Sequence, residues 1–141
     1  MFSAGADLKE GELAVKFLSE EWARAITDAL NSSADFKKAA ANQRAKIQQI
    51  VTETPDGSDV RYYFRLEDNA AEVSLGELAD AEATISQNYA TAMAINKQEL
   101  NAQNAFMQGK LKIQGNMMKL MQLQGVVNTM PRAVSDVEVE Y

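Results

Sequence analysis

The chain contains no cysteine and no histidine. That removes disulfide staples, Cys- and His-based nucleophile–base pairs and the usual zinc ligand sets in one stroke. It also leaves the redox setting open. Proline is scarce at two residues and glycine numbers only seven, which argues against a disordered or linker-rich chain. No apolar run approaches the ~20 residues that cross a bilayer. The opening Met1-Phe2-Ser3-Ala4-Gly5-Ala6-Asp7 lacks the basic stretch and apolar run of a secretory leader. The closing Glu138-Val139-Glu140-Tyr141 is not the Ser-Lys-Leu peroxisomal address, so a cytoplasmic protein is the expectation. Basic residues are outnumbered 14 to 20. The resulting net charge of −6 repels phosphate backbones, and no nucleic-acid partner is expected. A phosphate-cradling Gly-x-x-x-x-Gly-Lys-Ser/Thr motif is missing as well.

What remains is an ordinary globular composition, 46% hydrophobic and 24% charged over 141 residues. That length suits one domain, which buries roughly two-thirds of its unfolded surface. The charge is uneven: Lys97, Lys110, Lys112 and Lys119 stand together against a single acid, Glu99. These lysines are either solvated faces or a basic rim suited to anionic headgroups and transient membrane contact.

Residues 1–18 are weakly patterned and read as a loosely ordered N-terminal segment. Ser19 then offers an N-cap with Glu20 and Glu21 in the first turn, and Leu18, Trp22, Ile26, Ala29 and Leu30 form one apolar face. Asn31-Ser32-Ser33 ends that helix, and a second carries Phe36, Ala39, Ala40 and Gln43. The period then changes. Ile47 to Glu53 reads as a strand, followed by Thr54-Pro55-Asp56-Gly57 turn chemistry. From Val60 the alternation is clean: Val60, Tyr62, Phe64 and Leu66 on one face, Arg61, Tyr63, Arg65 and Glu67 on the other. Asp68-Asn69 turns the chain into Ala71, Val73 and Leu75, giving an antiparallel meander. A fourth strand spans Ala83 to Gln87.

Asn88 and Asn101 can cap two short helices, carrying Tyr89, Ala92 and Met93, then Ala105 and Phe106. Lys110 to Gln114 alternates as a fifth strand, and a last helix runs from Met117 to about Met130, before Pro131. These elements predict an α+β fold: a five-stranded, mostly antiparallel sheet with helices on one face and water on the other. The last helix is apolar around most of its circumference, through Met117, Met118, Leu120, Met121, Leu123, Val126, Val127 and Met130. An ordinary core helix needs only a stripe. Its methionines form a soft surface, suited to plain packing or to lining a groove for ligands of variable shape.

Ala105-Phe106-Met107-Gln108-Gly109-Lys110-Leu111-Lys112-Ile113-Gln114-Gly115-Asn116-Met117 resembles the signature stretch of the sterol carrier protein type 2 family. There an Ala-Phe-x-Gln-Gly-Lys-Leu-Lys-Ile-x-Gly-Asn-Met run joins a short helix, the last strand and the C-terminal helix. Met121 and Leu123 fit the family's downstream Met-Lys-Leu, with Gln122 in place of the lysine. Ala83-Thr84-Ile85 resembles its fourth strand, with Glu82 near the customary Asp. Asn96 stands for the loop glycine between the two short helices and tolerates positive φ.

The resemblance implies a hydrophobic tunnel between sheet and helices that holds a sterol, fatty acid, acyl-CoA or similar lipid for transfer, without catalysis. By that analogy the lining is Trp22, Phe64, Met93, Phe106, Met117, Met118 and Met121. Gln108, beside Phe106, either hydrogen-bonds a headgroup or ties the helix end near Gly109. Arg44, Arg61 and Arg65 read as solvated or as partners for a ligand carboxylate. The lipid-binding domain is expected over 19–131, with 132–141 as an acidic tail. No catalytic residue, metal or cofactor is expected, and the protein is a monomer or homodimer. The alternative is an interaction or dimerisation module using the apolar terminal helix. Catalysis would have to rest on carboxylates such as Glu20-Glu21 or Glu67-Asp68, which sit at a helix start and a turn.

Overall fold

The computed structural model describes residues 14–141. Each longer helix starts where a short polar side chain takes up an orphan backbone N–H. Ser19 accepts from Trp22 N at 3.1 Å and opens α1, Glu20–Asn31. Ser33 accepts from Phe36 N at 3.2 Å and opens α2, Ala34–Ala40. Asn88, Asn101 and Asn116 do the same for α3 (Tyr89–Asn96), α4 (Ala102–Met107) and α5 (Met117–Gln122). Two single turns follow, α6 (Gln124–Val127) and α7 (Met130–Ala133).

The main sheet holds β2 (Ala45–Thr52), β3 (Val60–Glu67), β4 (Ala70–Leu75), β5 (Ala83–Asn88) and β6 (Lys112–Gly115), in the order β4-β3-β2-β5-β6. It is mixed: β2 and β5 run parallel, whereas β2/β3, β3/β4 and β5/β6 are antiparallel. Asp68 and Asn69 both take positive φ, 54° and 64°, as a tight hairpin turn requires. The register aligns Ile47, Phe64, Val73 and Ala83 in one row and Gln49, Tyr62, Leu75 and Ile85 in the next, all on one face. α1 packs over β4, while α3 and α5 pack over β5. Between these layers lies the core, which includes Trp22, Leu30, Phe36, Val51, Leu66 and Val126.

β4 is an edge strand, and α1 supplies the backbone partners that a neighbouring strand would. Asn31 Nδ2 donates to Ala71 O at 2.9 Å, and Ala71 N donates to Asn31 Oδ1 at 2.8 Å. Val73 N donates to Thr27 Oγ1 at 2.8 Å, and Thr27 Oγ1 lies 3.0 Å from Val73 O.

Several sequence expectations change. Residues 14–18 are joined to the body: β1 (Val15–Lys16) pairs in parallel with β7 (Val139–Glu140), and Phe17 and Leu18 are buried. The rest of the segment expected to be loose lies outside the described residues, and the expected tail contains a strand. The single last helix is three pieces. Leu123 N–H is shared between Lys119 O and Leu120 O at 3.1 and 3.2 Å, a tightened turn that stops α5. Pro131, expected beyond the helix, sits in the first turn of α7, where a missing N–H costs nothing. Breaking the segment lets Leu123 and Val126 both reach the core, at 3% and 1% exposure. The second helix stops at Ala40, short of Gln43, and the positive φ expected at Asn96 falls on Gln98, at 64°. The sheet face expected to meet water is partly covered. Gln48 is buried there, donating through Nε2 to Tyr62 O and Gly76 O, both at 3.0 Å, and accepting from Leu78 N at 2.7 Å.

Candidate functional site

α1 lays Trp22 on the helix-covered face of the sheet, edge-on to Tyr62 with ring centroids 5.1 Å apart. Phe17 closes on the same indole at 5.3 Å and extends the cluster to Tyr89 (5.7 Å) and Tyr141 (5.1 Å). Edge-to-face contacts of this kind add to the area these rings bury. Trp22 is 4% exposed, yet its Nε1–H has no hydrogen-bond partner among the described residues. An unanswered buried donor costs about 1–3 kcal/mol.

Burial pushes the neighbouring Tyr62 phenol up from 10.0 to about 12. The neutral phenol is therefore favoured in the folded state, and its contribution to stability is intact below pH 10 and lost as pH climbs from 10 to about 12. Between those values the midpoint of thermal unfolding should fall more steeply for the wild type than for Tyr62→Phe. Parallel curves would show that the phenol is not held neutral by the fold.

One polar pair interrupts the apolar wall. Gln49, in register with Tyr62 and Ile85, accepts from Gln87 Nε2 at 2.9 Å. The strand positions of this face carry no lysine or arginine. Arg61 and Arg65 project from the other side of β3, where Arg65 pairs with Glu72. Arg44 offers its carbonyl oxygen to Lys119 Nζ at 2.7 Å.

The residues singled out from the sequence fall in two places. Trp22 belongs to the core, and Phe64 and Met93 are half-buried against it. Phe106, Met117, Met118 and Met121 are 43%, 40%, 65% and 66% exposed. On α5 the methionines at 117, 118 and 121 share one side, while Leu120 and Leu123 turn to the core. Gln108 is exposed at the end of α4; its backbone N–H donates to Asn104 O at 2.9 Å, and its side chain has no hydrogen bond among the described residues. The sequence reading passed over the two glutamines and the role of Tyr62. Alternation placed Tyr62 on the apolar face, but Gln49 and Gln87 meet only through the parallel β2–β5 pairing.

Two open grooves lie elsewhere. One of about 570 Å³ is lined by residues that include Lys38 and Arg132, and one of about 390 Å³ by residues that include Arg24 and Glu72. Neither is lined by a residue of the expected slot. Among the described residues, no group of three or more acids could hold a metal ion, and no helix is long and apolar enough to cross a membrane.

Compared with known sequence families, residues 23–128 match the SCP-2 sterol transfer family. Among solved structures, a conserved hypothetical protein from Thermus thermophilus superposes with a TM-score of 0.74 at 23% identity, covering 90% of this chain and 93% of its own. A crystal structure of sterol carrier protein 2 gives 0.73 at 24% identity, covering 86% and 99%. The apo form of sterol carrier protein 2 from Yarrowia lipolytica gives 0.62 at 25% identity, covering 84% and 96%. No curated protein matches the chain.

Proposed function

Because the chain belongs to the SCP-2 sterol transfer family, we propose that it carries an amphiphilic lipid between the sheet and helices α3 and α5, with Trp22 as the polar anchor. Apolar lipid binding and transfer are the family's general property. The observation that carries the finer reading is the buried Trp22 Nε1–H with no partner, set in an apolar wall. A lipid whose oxygen accepts from that N–H removes the cost of the orphan donor. Its apolar body contributes about 0.8 kcal/mol per buried methylene before ordering is subtracted. Phe64 and Met93 give way along the body, and Phe106, Met117, Met118 and Met121, exposed on the outer side, edge the mouth of the slot. Gln108 stands at its rim. No acid, base or nucleophile is needed, so the reading is non-catalytic.

The same geometry favours a neutral polar end. A carboxylate at this depth would lie on a wall without lysine or arginine, and an unpaired buried charge costs far more than a hydroxyl or carbonyl. A sterol or an ester carbonyl therefore suits the anchor better than a free fatty acid. An acyl-CoA would leave its charged portion outside.

Native mass spectrometry of the purified protein, before and after organic extraction, tests the carrier reading. A lipid-sized adduct that extraction removes is expected. A bare mass that stays bare with sterol, fatty acid and acyl-CoA would overturn it and leave the apolar α5 face to a partner protein. The anchor is tested by Trp22→Phe, which keeps a six-membered aromatic ring and deletes the donor with its five-membered ring. Affinity for a sterol should fall about 3- to 10-fold. The empty protein should lose less stability than the deleted ring atoms alone would cost, because the orphan donor goes with them. Unchanged sterol affinity would remove Trp22 from the site.

A further inference from the structure

We propose that α4, β6 and α5 together form a docking surface for anionic lipid bilayers. Phe106, Met107, Met117, Met118 and Met121 all stand exposed within this one stretch of chain. β6 is the sheet edge opposite β4, with α4 and α5 directly before and after it in the chain. Gln103 Nε2 donates to Gln124 Oε1 at 2.9 Å, holding α4 against the start of α6. The apolar side chains thus stand on the two helices that precede and follow one sheet edge in the chain.

Charge identifies the occupant. No aspartate or glutamate occurs from Leu100 to Met130, while Lys110, Lys112 and Lys119 all lie there. The net charge of −6 therefore divides into +3 for this stretch and −9 for the rest of the chain. Lys119 is engaged by Glu82 at 3.6 Å, whereas Lys110 and Lys112 are exposed and form no ion pair among the described residues. An anionic bilayer attracts the positive face and repels the remainder, which orients the molecule with its methionines and Phe106 toward the acyl boundary. A second copy would bring two like-charged faces together, and an extended nucleic acid would meet the surrounding negative charge. This inference does not depend on the cargo.

The test is sedimentation with phosphatidylcholine vesicles, with and without phosphatidylglycerol. Wild-type protein should bind the anionic vesicles at least tenfold better than the neutral ones, and less as salt is raised. Lys110→Glu/Lys112→Glu should lose at least tenfold in partitioning, and Met107→Glu severalfold. Lys37→Glu/Lys38→Glu, an equal charge change on α2, should stay within about twofold of wild type, which separates place from net charge. Sterol uptake from cyclodextrin should be unchanged in all three variants, so failure here is distinguishable from failure of the carrier reading. Equal binding to neutral and anionic vesicles would overturn the proposal. So would wild-type binding by both face variants, or a dimer that those variants dissolve.

Discussion

Gly115→Ala is expected to cost about 3 kcal/mol or more, and the reason lies in two adjacent strands rather than in the glycine alone. Gly115 holds φ +105°, a conformation that L side chains rarely adopt. A Cβ added there would meet Glu82 O at 2.6 Å and Ala83 Cα at 2.9 Å, both backbone atoms that cannot swing aside. The strain of such a conformation is about 1–3 kcal/mol, and the displaced strand adds to it. The contacts at risk converge on Glu82. Its carbonyl accepts from Asn116 N at 2.9 Å, its N–H donates to Lys46 O at 2.7 Å, and its carboxylate accepts from Lys46 N at 2.9 Å. Shifting β6 therefore disturbs the start of α5 and the entry of β2 into the sheet. Gly109→Ala is the control in the same stretch. It also has positive φ, +77°, but nothing lies within 4 Å of the added Cβ. Its loss should stay near 1 kcal/mol. Urea unfolding of both variants checks this; equal losses would mean that β6 can move away from Glu82 freely.

Phe36→Ala should be the other large loss, about 3–5 kcal/mol. Phe36 is fully buried, at 0% exposure, on a short helix that packs against α1, α6 and α7. α6 and α7 are single turns, too short to hold their conformation without packing. Against a total of about 5–15 kcal/mol, the change is about a fifth of the stability or more. The urea midpoint should drop sharply at unchanged slope, and Phe36→Leu should recover most of the loss. A loss under 1 kcal/mol for the alanine variant would show that the surrounding turns collapse to fill the space.

Much of the sheet could be read directly, because its signals are local. The alternation from Val60 to Leu66 correctly divided the two faces of β3, and Asp68-Asn69 marked the hairpin. Ser19, Asn88 and Asn101 cap the helices they were expected to cap. What escaped notice depends on contacts distant in the chain. The β1–β7 pair has two residues on each side, too few to show a period. The parallel β2–β5 pairing leaves no mark on either strand, so the Gln49–Gln87 contact could not be foreseen. The apolar terminal segment showed that its methionines were unusual, but composition cannot say which side turns outward. That was decided at Leu120 and Leu123, which the core takes up. Asn96 illustrates the same limit, since the backbone reversal falls two residues later, at Gln98.

The two side chains by which α1 grips β4 also bear on what happens when the protein begins to open. While Thr27 and Asn31 are seated, the polar backbone of Ala71 and Val73 is already spoken for. Should α1 lift, that row is left bare on a strand at the sheet margin, and the same row on another molecule is its nearest chemical match. α1 is thus a chaperone in cis for the margin of its own sheet. Loosening its hold would convert a reversible opening into aggregation that quickens with protein concentration.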